Sequence, residues 1–311
     1  MRRLEAIVVG LVLAVGQTGR GAMTLEQIVA PGTQPVVLGT GYGFSEGPAA
    51  DAEGNIYFSD GKNNSIHFYR LGEPVRLFTD QSFDANGMIF NRHGELLVCE
   101  GAAHRIVAYN VKTREHRVLA QQIDGTQFNE PNDLAVDRTD GFYFSDPNYA
   151  HRGQPAVMKE DAYYVFADGR VRRVSTVCVK PNGVLLSPDE KTLYLADSRG
   201  QAIYRYDVLG PGQLAHETLW IPALGANPDG MTLDEHGNLY LACGKAGVKI
   251  YGPDAQPVGV IAVDYASNLV FGGKDFSTLY ITSRDKFLGL ATLVRGIKPL
   301  CVRETPRGSR P

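Results

Sequence analysis

Two carboxylates and four carboxamides recur in this chain at one position of a repeated pattern. Glu46, Asn86, Asn132, Asn182, Asp229 and Asn268 stand 40, 46, 50, 47 and 39 residues apart. Each is followed by mostly apolar residues, a polar turn and a strand-like run, as in NDLAVDRTDGFYFSD from Asn132 and NGVLLSPDEKTLYLAD from Asn182. Hydrophobic periodicity accounts for apolar positions that repeat, but not for a polar column built only of oxygen-bearing side chains. If the amides present their carbonyls, a converging set offers only oxygen ligands. Hard divalent cations take such sites: Ca²⁺ with roughly six to eight oxygens, or Mg²⁺ and Mn²⁺ with waters completing the shell. Glu46 and Asp229 would neutralise such an ion, and without one their charges would repel each other in a poorly solvated channel. No His or Cys belongs to the column, which disfavours a structural zinc site. Asn and Asp at strand starts also cap turns through nearby backbone, and Asn86 and Asn268 fit that role best. Turn capping alone would accept Ser, Thr or Gly, and none occurs at the six positions.

The elements around the column must bring its members together. In repeat three, residues 133–136 read as an apolar strand, residues 137–141 as a polar turn with Gly141, and residues 142–146 as an aromatic strand. That is a β-hairpin. The first strand is apolar on both alternating faces, so it belongs inside, between neighbours, along an axis. Periods of about 40–50 residues with two clear strands each point to a propeller. The expected fold is all-β: a six-bladed β-propeller of four-stranded antiparallel blades around a central channel. Gly47, Gly87, Gly183 and Gly230 follow four of the column residues and would let adjacent blades approach closely. Third strands are expected near residues 65–70, 105–110, 163–167, 202–207 and 248–252. Residues 34–38 or 288–294 could close the ring. Six polar side chains then meet at one mouth of the channel.

The remaining features exclude more than they add. With 35 Gly and 17 Pro in 311 residues the composition is turn-rich and free of low complexity. A net charge of −3, with basic residues scattered, gives no reason to expect nucleic acid. Arg2 and Arg3 precede an apolar run at residues 7–15, too short to span a bilayer. Residues 1–22 are therefore expected to be a signal peptide directing the chain to the periplasm or outside. Residues 23–311 are expected to form a single propeller domain, although Met23 could itself be the start. Cys99, Cys178, Cys243 and Cys301 show no metal-like spacing and read as thiols. A second column, Asp60, Glu100, Asp146 and Asp197, ends the aromatic strands and reads as loop hydrogen bonding. His104 reads as a surface histidine. His151 follows the Pro147-Asn148-Tyr149 loop, which could overhang the site, and stays a substrate-binding candidate. No Gly-x-Ser-x-Gly elbow or phosphate loop is present.

The motifs Ser45-Glu46-Gly47-Pro48, Asn86-Gly87-Met88, Glu130-Pro131-Asn132-Asp133-Leu134, Lys180-Pro181-Asn182-Gly183 and Asn227-Pro228-Asp229-Gly230-Met231 resemble those of the gluconolactonase and regucalcin-like family of six-bladed propellers. The resemblance covers about residues 40–295. It implies one divalent cation on the channel axis, Ca²⁺ first, with Mg²⁺, Mn²⁺ or Zn²⁺ as alternatives, held by Glu46, Asn182 and Asp229. Asn132 is implied as a fourth ligand or a substrate contact. Asp229 is the residue given the general-base role in such proteins. Some relatives carry Arg two positions before the third-repeat Asn; here that residue is Glu130, so Glu130, Asn86 and His151 are the candidates for a different substrate grip. The implied activity is metal-dependent opening of a sugar lactone such as glucono-1,5-lactone, with a small-molecule lactone as the partner. Two alternatives stand beside it. One is a phosphotriesterase-like hydrolase or other lactonase, with an apolar rim supplied by the loops of Phe83, Tyr149 and Phe287. The other is a non-catalytic propeller with a structural cation that binds a sugar or a protein.

Overall fold

The computed structural model describes residues 23–150 and 153–303. Residues 1–22, which hold the expected export segment, and His151 lie outside them. Four of the repeats open with a hairpin whose turn is fixed by one side chain. In repeat three Asp137 Oδ1 accepts the backbone N–H groups of Thr139 at 2.7 Å and Gly141 at 3.1 Å. Asp51, Asn91 and Asp234 do the same in repeats one, two and five. A short polar side chain bonding two and four residues ahead replaces the backbone turn and commits the chain to reverse. The strands that follow pair in sequence order. Leu134–Val136 pairs with Phe142–Asp146, then Asp161–Val165, then Val171–Ser175, all antiparallel.

Repeats two to five each form one four-stranded sheet of this kind. Repeats one and six share a six-stranded sheet, because the strand Val36–Ala50 belongs to both. Its first part pairs with residues of the last repeat, Val36 opposite Gly289 and Thr40 opposite Lys286. Its second part pairs inside repeat one, Ser45 opposite Asp60 and Ala50 opposite Ile56. Six separate four-stranded blades are therefore not what the pairing gives. Among the described residues, five sheets of four or more strands carry the six repeats. The two segments expected as alternative closures of the ring turn out to pair with each other. Ser45 fastens that seam: its Oγ donates to Lys286 O at 2.8 Å, and its carbonyl accepts from Ser267 Oγ at 2.8 Å.

The hydrophobic core is divided among the gaps between repeats. Ala135, Tyr143 and Tyr164 of repeat three pack with Val184, Leu195 and Tyr206 of repeat four. Corresponding clusters join one to two, two to three, four to five and five to six. A last cluster, with Tyr280 and Phe287 against Ile56, Phe58 and Tyr69, joins six back to one. The fold is thus an all-β, propeller-like ring. Along its axis the first strands come very close. A Cβ added to Gly87 would lie 2.4 Å from Asn132 O, and one on Gly183 would lie 2.2 Å from Asp229 O. These glycines hold each column residue against the strand of the preceding repeat.

Candidate active site

Five of the six column residues reach one cavity. Glu46, Asn86, Asn132, Asn182 and Asp229 line a space of about 1090 Å³ at one mouth of the channel. Glu46, Asn132 and Asn182 are buried, and Asp229 and Asn86 are half-buried, open to that space. Asn268 is not among the lining residues; it sits behind Glu46 and hydrogen-bonds to it, while its Oδ1 accepts from Leu269 N–H at 2.8 Å. Backbone bonds fix the platform: Asn132 O accepts Gly87 N–H at 2.7 Å, and Asp229 N–H donates to Ala242 O at 2.9 Å.

The floor is electrostatically strained as it stands. Burial holds the Glu46 carboxyl well above the usual carboxylate range, and neighbouring Asp229 pushes it further, against bonds donated by Gly47 N–H at 2.7 Å and by the Asn268 side chain. Burial raises Asp229 to about 7, opposed by a hydrogen bond from Asn182 and supported by the charge of Asp133. Asp133 is a third carboxylate beneath the floor, raised to about 6 by burial. Its two oxygens are occupied by Leu134 N–H at 2.9 Å and Val184 N–H at 3.0 Å. Sequence reasoning missed it, although a signal was present: Asp133 stands where four repeats have Gly. Instead of letting the next strand close in, it bridges to it.

Oxygen donors of this kind suit a hard divalent ion. Among the described residues no group of three or more His, Cys, Asp or Glu forms a metal cage. An ion at this floor would rest on two carboxylates and on amide carbonyls, and its charge would relieve the repulsion that raises Glu46 and Asp229. Asn182 is oriented for the task. Its Nδ2 donates to Tyr149 Oη at 2.6 Å, which leaves the carbonyl oxygen free.

Tyr149 is the second residue that the sequence did not single out for the floor. Its loop is strapped at several points: Tyr149 N–H donates to Glu130 Oε2 at 2.9 Å, and Asn148 N–H to Glu160 Oε2 at 2.8 Å. Lys180 Nζ lies 4.9 Å from the Tyr149 ring centroid and 2.7 Å from Glu160. The phenol is raised above its ordinary value by burial first and then by the negative charge of Asp229. Glu130 itself does not line the cavity; its carboxylate braces the Tyr149 loop. His104 is turned away, its Nδ1 against Asn129 O. Of the three aromatics expected at an apolar rim, only Tyr149 lines the cavity. Phe287 is fully buried, stacked 4.3 Å from Phe58, because its strand forms the seam of the ring. Phe83 is exposed outside, under the Arg105 guanidinium. The acidic second column does bond loops: Asp60 accepts the N–H groups of Gly43 and Phe44, and Asp197 those of Val179, Lys180 and Gly200.

The model of the SMP-30/gluconolactonase/LRE-like region matches residues 44–285, which contain the six column residues, Asp133 and Tyr149. The chain belongs to that family. Among its relatives in the family is a gluconolactonase from Zymomonas mobilis, 29% identical over 91% of this chain and 88% of the relative. A regucalcin from Oryctolagus cuniculus is 30% identical over 75% of this chain and 80% of the relative. The solved structure of a gluconolactonase from Xanthomonas campestris superposes with a TM-score of 0.79, at 26% identity, over 86% of this chain and 92% of that one. Family members thus share the ring, and the cavity just described lies within the matched segment.

Proposed function

We propose that this chain is a divalent-cation-dependent hydrolase that opens a sugar lactone of the glucono-1,5-lactone type. One observation carries the reading: Glu46, Asn132, Asn182 and Asp229 arrive from four separate repeats at the floor of one cavity. Relatives named gluconolactonase, lactonase and pentonolactonase support the substrate class. The four residues would hold the ion, Ca²⁺ being the first expectation from an all-oxygen donor set. When bound, such an ion supplies polarisation of a carbonyl and acidification of a water. Asp229 then orients the attacking water through its oxygen open to the cavity. A carboxylate that also neutralises a cation is a weak base, so direction rather than deep proton abstraction is its main contribution. Water adds to the lactone carbonyl carbon, the ring C–O bond breaks, and the released ring oxygen takes up a proton. Asn86 and Asn132 face the cavity with amide groups able to bond sugar hydroxyls. The same reading takes the six-stranded sheet as two blades sharing residues 36–50, which restores one blade per repeat; the six clusters between repeats support it. Export through residues 1–22 is proposed on the sequence alone.

Pure protein in a pH-stat is expected to release acid from glucono-1,5-lactone and from a slower γ-lactone above the spontaneous rate. Chelation should stop it and added Ca²⁺ restore it. If chelation lowers the melting temperature but no lactone is ever opened, the cation is structural and the propeller is a binding module. Tyr149→Phe gives a finer test. Removing the hydroxyl that accepts from Asn182 frees that amide to rotate, and outer partners of ligands are worth roughly 10–100-fold in metal affinity or activity. Calcium titration calorimetry should show weaker binding with an unchanged fold; undiminished affinity would mean that Tyr149 does not position Asn182.

A further inference from the structure

One wall of the cavity carries charge that lactone opening does not require. Lys62, Lys245 and Arg284 line the same space as Glu46 and Asp229, and all three are exposed. None of them takes part in an ion pair among the described residues. They come from repeats one, five and six, so no local turn chemistry explains their meeting. Aromatic rings arrange two of them. Lys62 Nζ lies 5.5 Å from the centroid of Phe44, and the Arg284 guanidinium lies 4.2 Å from that of Tyr265. The two rings meet edge to face at 6.1 Å. Gly244 packs against the Tyr265 ring, a Cβ there lying 3.4 Å from it, and the next residue, Lys245, lines the same space. Tyr265 also lies within electrostatic reach of Asp229 and Glu46, so this wall runs from the floor to the mouth. Among the described residues, Tyr149, Asn182 and Ser198 line the facing wall, and none of the three is charged. Asp84 is the one acid among the described residues that lines the space besides the floor carboxylates, and it sits against Gly61.

We propose that the lactone this site takes is anionic, with a carboxylate or phosphate remote from the reacting carbonyl seated among Lys62, Lys245 and Arg284. The lactone half of the statement rests on the hydrolase reading, whereas the anion subsite rests on the wall's own charges. A divalent ion would cancel Glu46 and Asp229 and leave three cations facing one carboxylate. A neutral sugar leaves those cations with water. An anionic tail gains charge-assisted bonds, and Arg284 offers a planar fork that matches either group. The net positive mouth also concentrates anions from solution.

Equilibrium binding separates this inference from catalysis. Gluconate, glucarate and gluconate 6-phosphate share a carboxylate end and differ in the group at the other end. Calorimetry on the full chain with Ca²⁺ is expected to show glucarate or gluconate 6-phosphate binding at least about tenfold tighter than gluconate, the size of one charge-assisted bond. Whichever binds tighter identifies the tail as carboxylate or phosphate. The preference should shrink with ionic strength and fall to within about threefold in Lys245→Gln/Arg284→Gln, leaving only the weaker screened contribution of Lys62. Equal binding of all three ligands, or an undiminished preference in the double variant, overturns the proposal. The kcat/KM ratio for the matched charged and neutral lactones should follow the same pattern. Discrimination in binding with no lactone opened would defeat the hydrolase reading and leave the anion subsite standing. Lactone opening without discrimination would do the reverse.

Discussion

Glu46→Gln and Asp229→Asn combined in one chain are expected to abolish lactone opening and yet to make the chelated protein more stable. The two effects share one cause. Each substitution exchanges a charged oxygen for a neutral carbonyl at almost constant shape. The remaining carbonyl oxygens can still accept from Gly47 and Asn182, so the floor keeps its shape. What disappears is the negative charge that would balance a divalent ion. Loss of the ion and of the carboxylate that directs the water should cost at least about 10³ in kcat/KM, the scale of electrostatic stabilisation at a reacting carbonyl. Without the ion, however, those same charges are a burden. Burial raises both groups, with the charge of Asp229 raising Glu46 further and that of Asp133 raising Asp229, so above pH ~7 the chelated wild-type protein bears the cost of uncompensated negative charge in a confined space. Replacing them should raise its stability by on the order of 2 kcal/mol, with water in the cavity already weakening the repulsion. Urea unfolding in chelator measures the second effect and a pH-stat the first. Retained activity would remove the floor from the chemistry. A double variant that unfolds more easily than the chelated wild type would mean that the carboxylates are held by bonds stronger than their repulsion.

The sequence could carry this much because a ring of repeats turns a recurring position into a place. Once the period was recognised, one polar column had to converge, and glycine beside it had to mark close approach; Gly87 and Gly183 do lie against the next repeat's backbone. The hairpins were legible for a similar reason, since Asp51, Asn91, Asp137 and Asp234 direct their turns from within a few residues. Features built by distant contacts were not. Tyr149 reaches Asn182 only because Glu130, Glu160 and Lys180 strap its loop from both sides, and none of those bonds follows a period. Phe287 reads as a rim residue when its segment is taken for a loop. It is core because residues 278–291 double back at Arg284, whose φ is +55°, and the returning part pairs with residues 36–40. That same seam is why repeats one and six share a sheet: a strand continuous in sequence reads as one element and serves two repeats. Lys62, Lys245 and Arg284 each look like solvated surface when read singly. Only the closed ring puts them on one wall.

In chelator, the melting temperature of the wild-type protein is expected to fall as pH rises from about 4 to about 8, and saturating Ca²⁺ should reverse that trend. The sign follows from proton counting. Asp229 titrates near 4 in the unfolded chain and at about 7 in the fold, and Asp133 at about 6; Glu46 is also raised. Between the two values the native state binds more protons than the unfolded state, so unfolding releases protons and higher pH favours it. The stabilising contribution of these groups is complete below pH ~4 and lost as pH passes through 6 to 7. Other buried carboxyls with raised values, among them Glu100 and Asp146, tilt the curve the same way. The diagnostic quantity is therefore the difference between proteins. Asp229→Asn should flatten the slope above pH ~5 in chelator, since its share of the linkage is removed. Bound calcium pulls both floor carboxylates toward their ionised forms, so protons now compete with the ion and acid, not base, becomes the destabilising direction. At an ion concentration about 100 times its Kd the gain should approach 2.7 kcal/mol, and it should vanish in Glu46→Gln/Asp229→Asn. Identical pH curves for wild type and Asp229→Asn, or a calcium gain that survives the double substitution, would place the ion and the strain elsewhere. Opposite slopes with and without the ion have a simple physical meaning: the floor is unfavourable to the folded protein until a cation completes it.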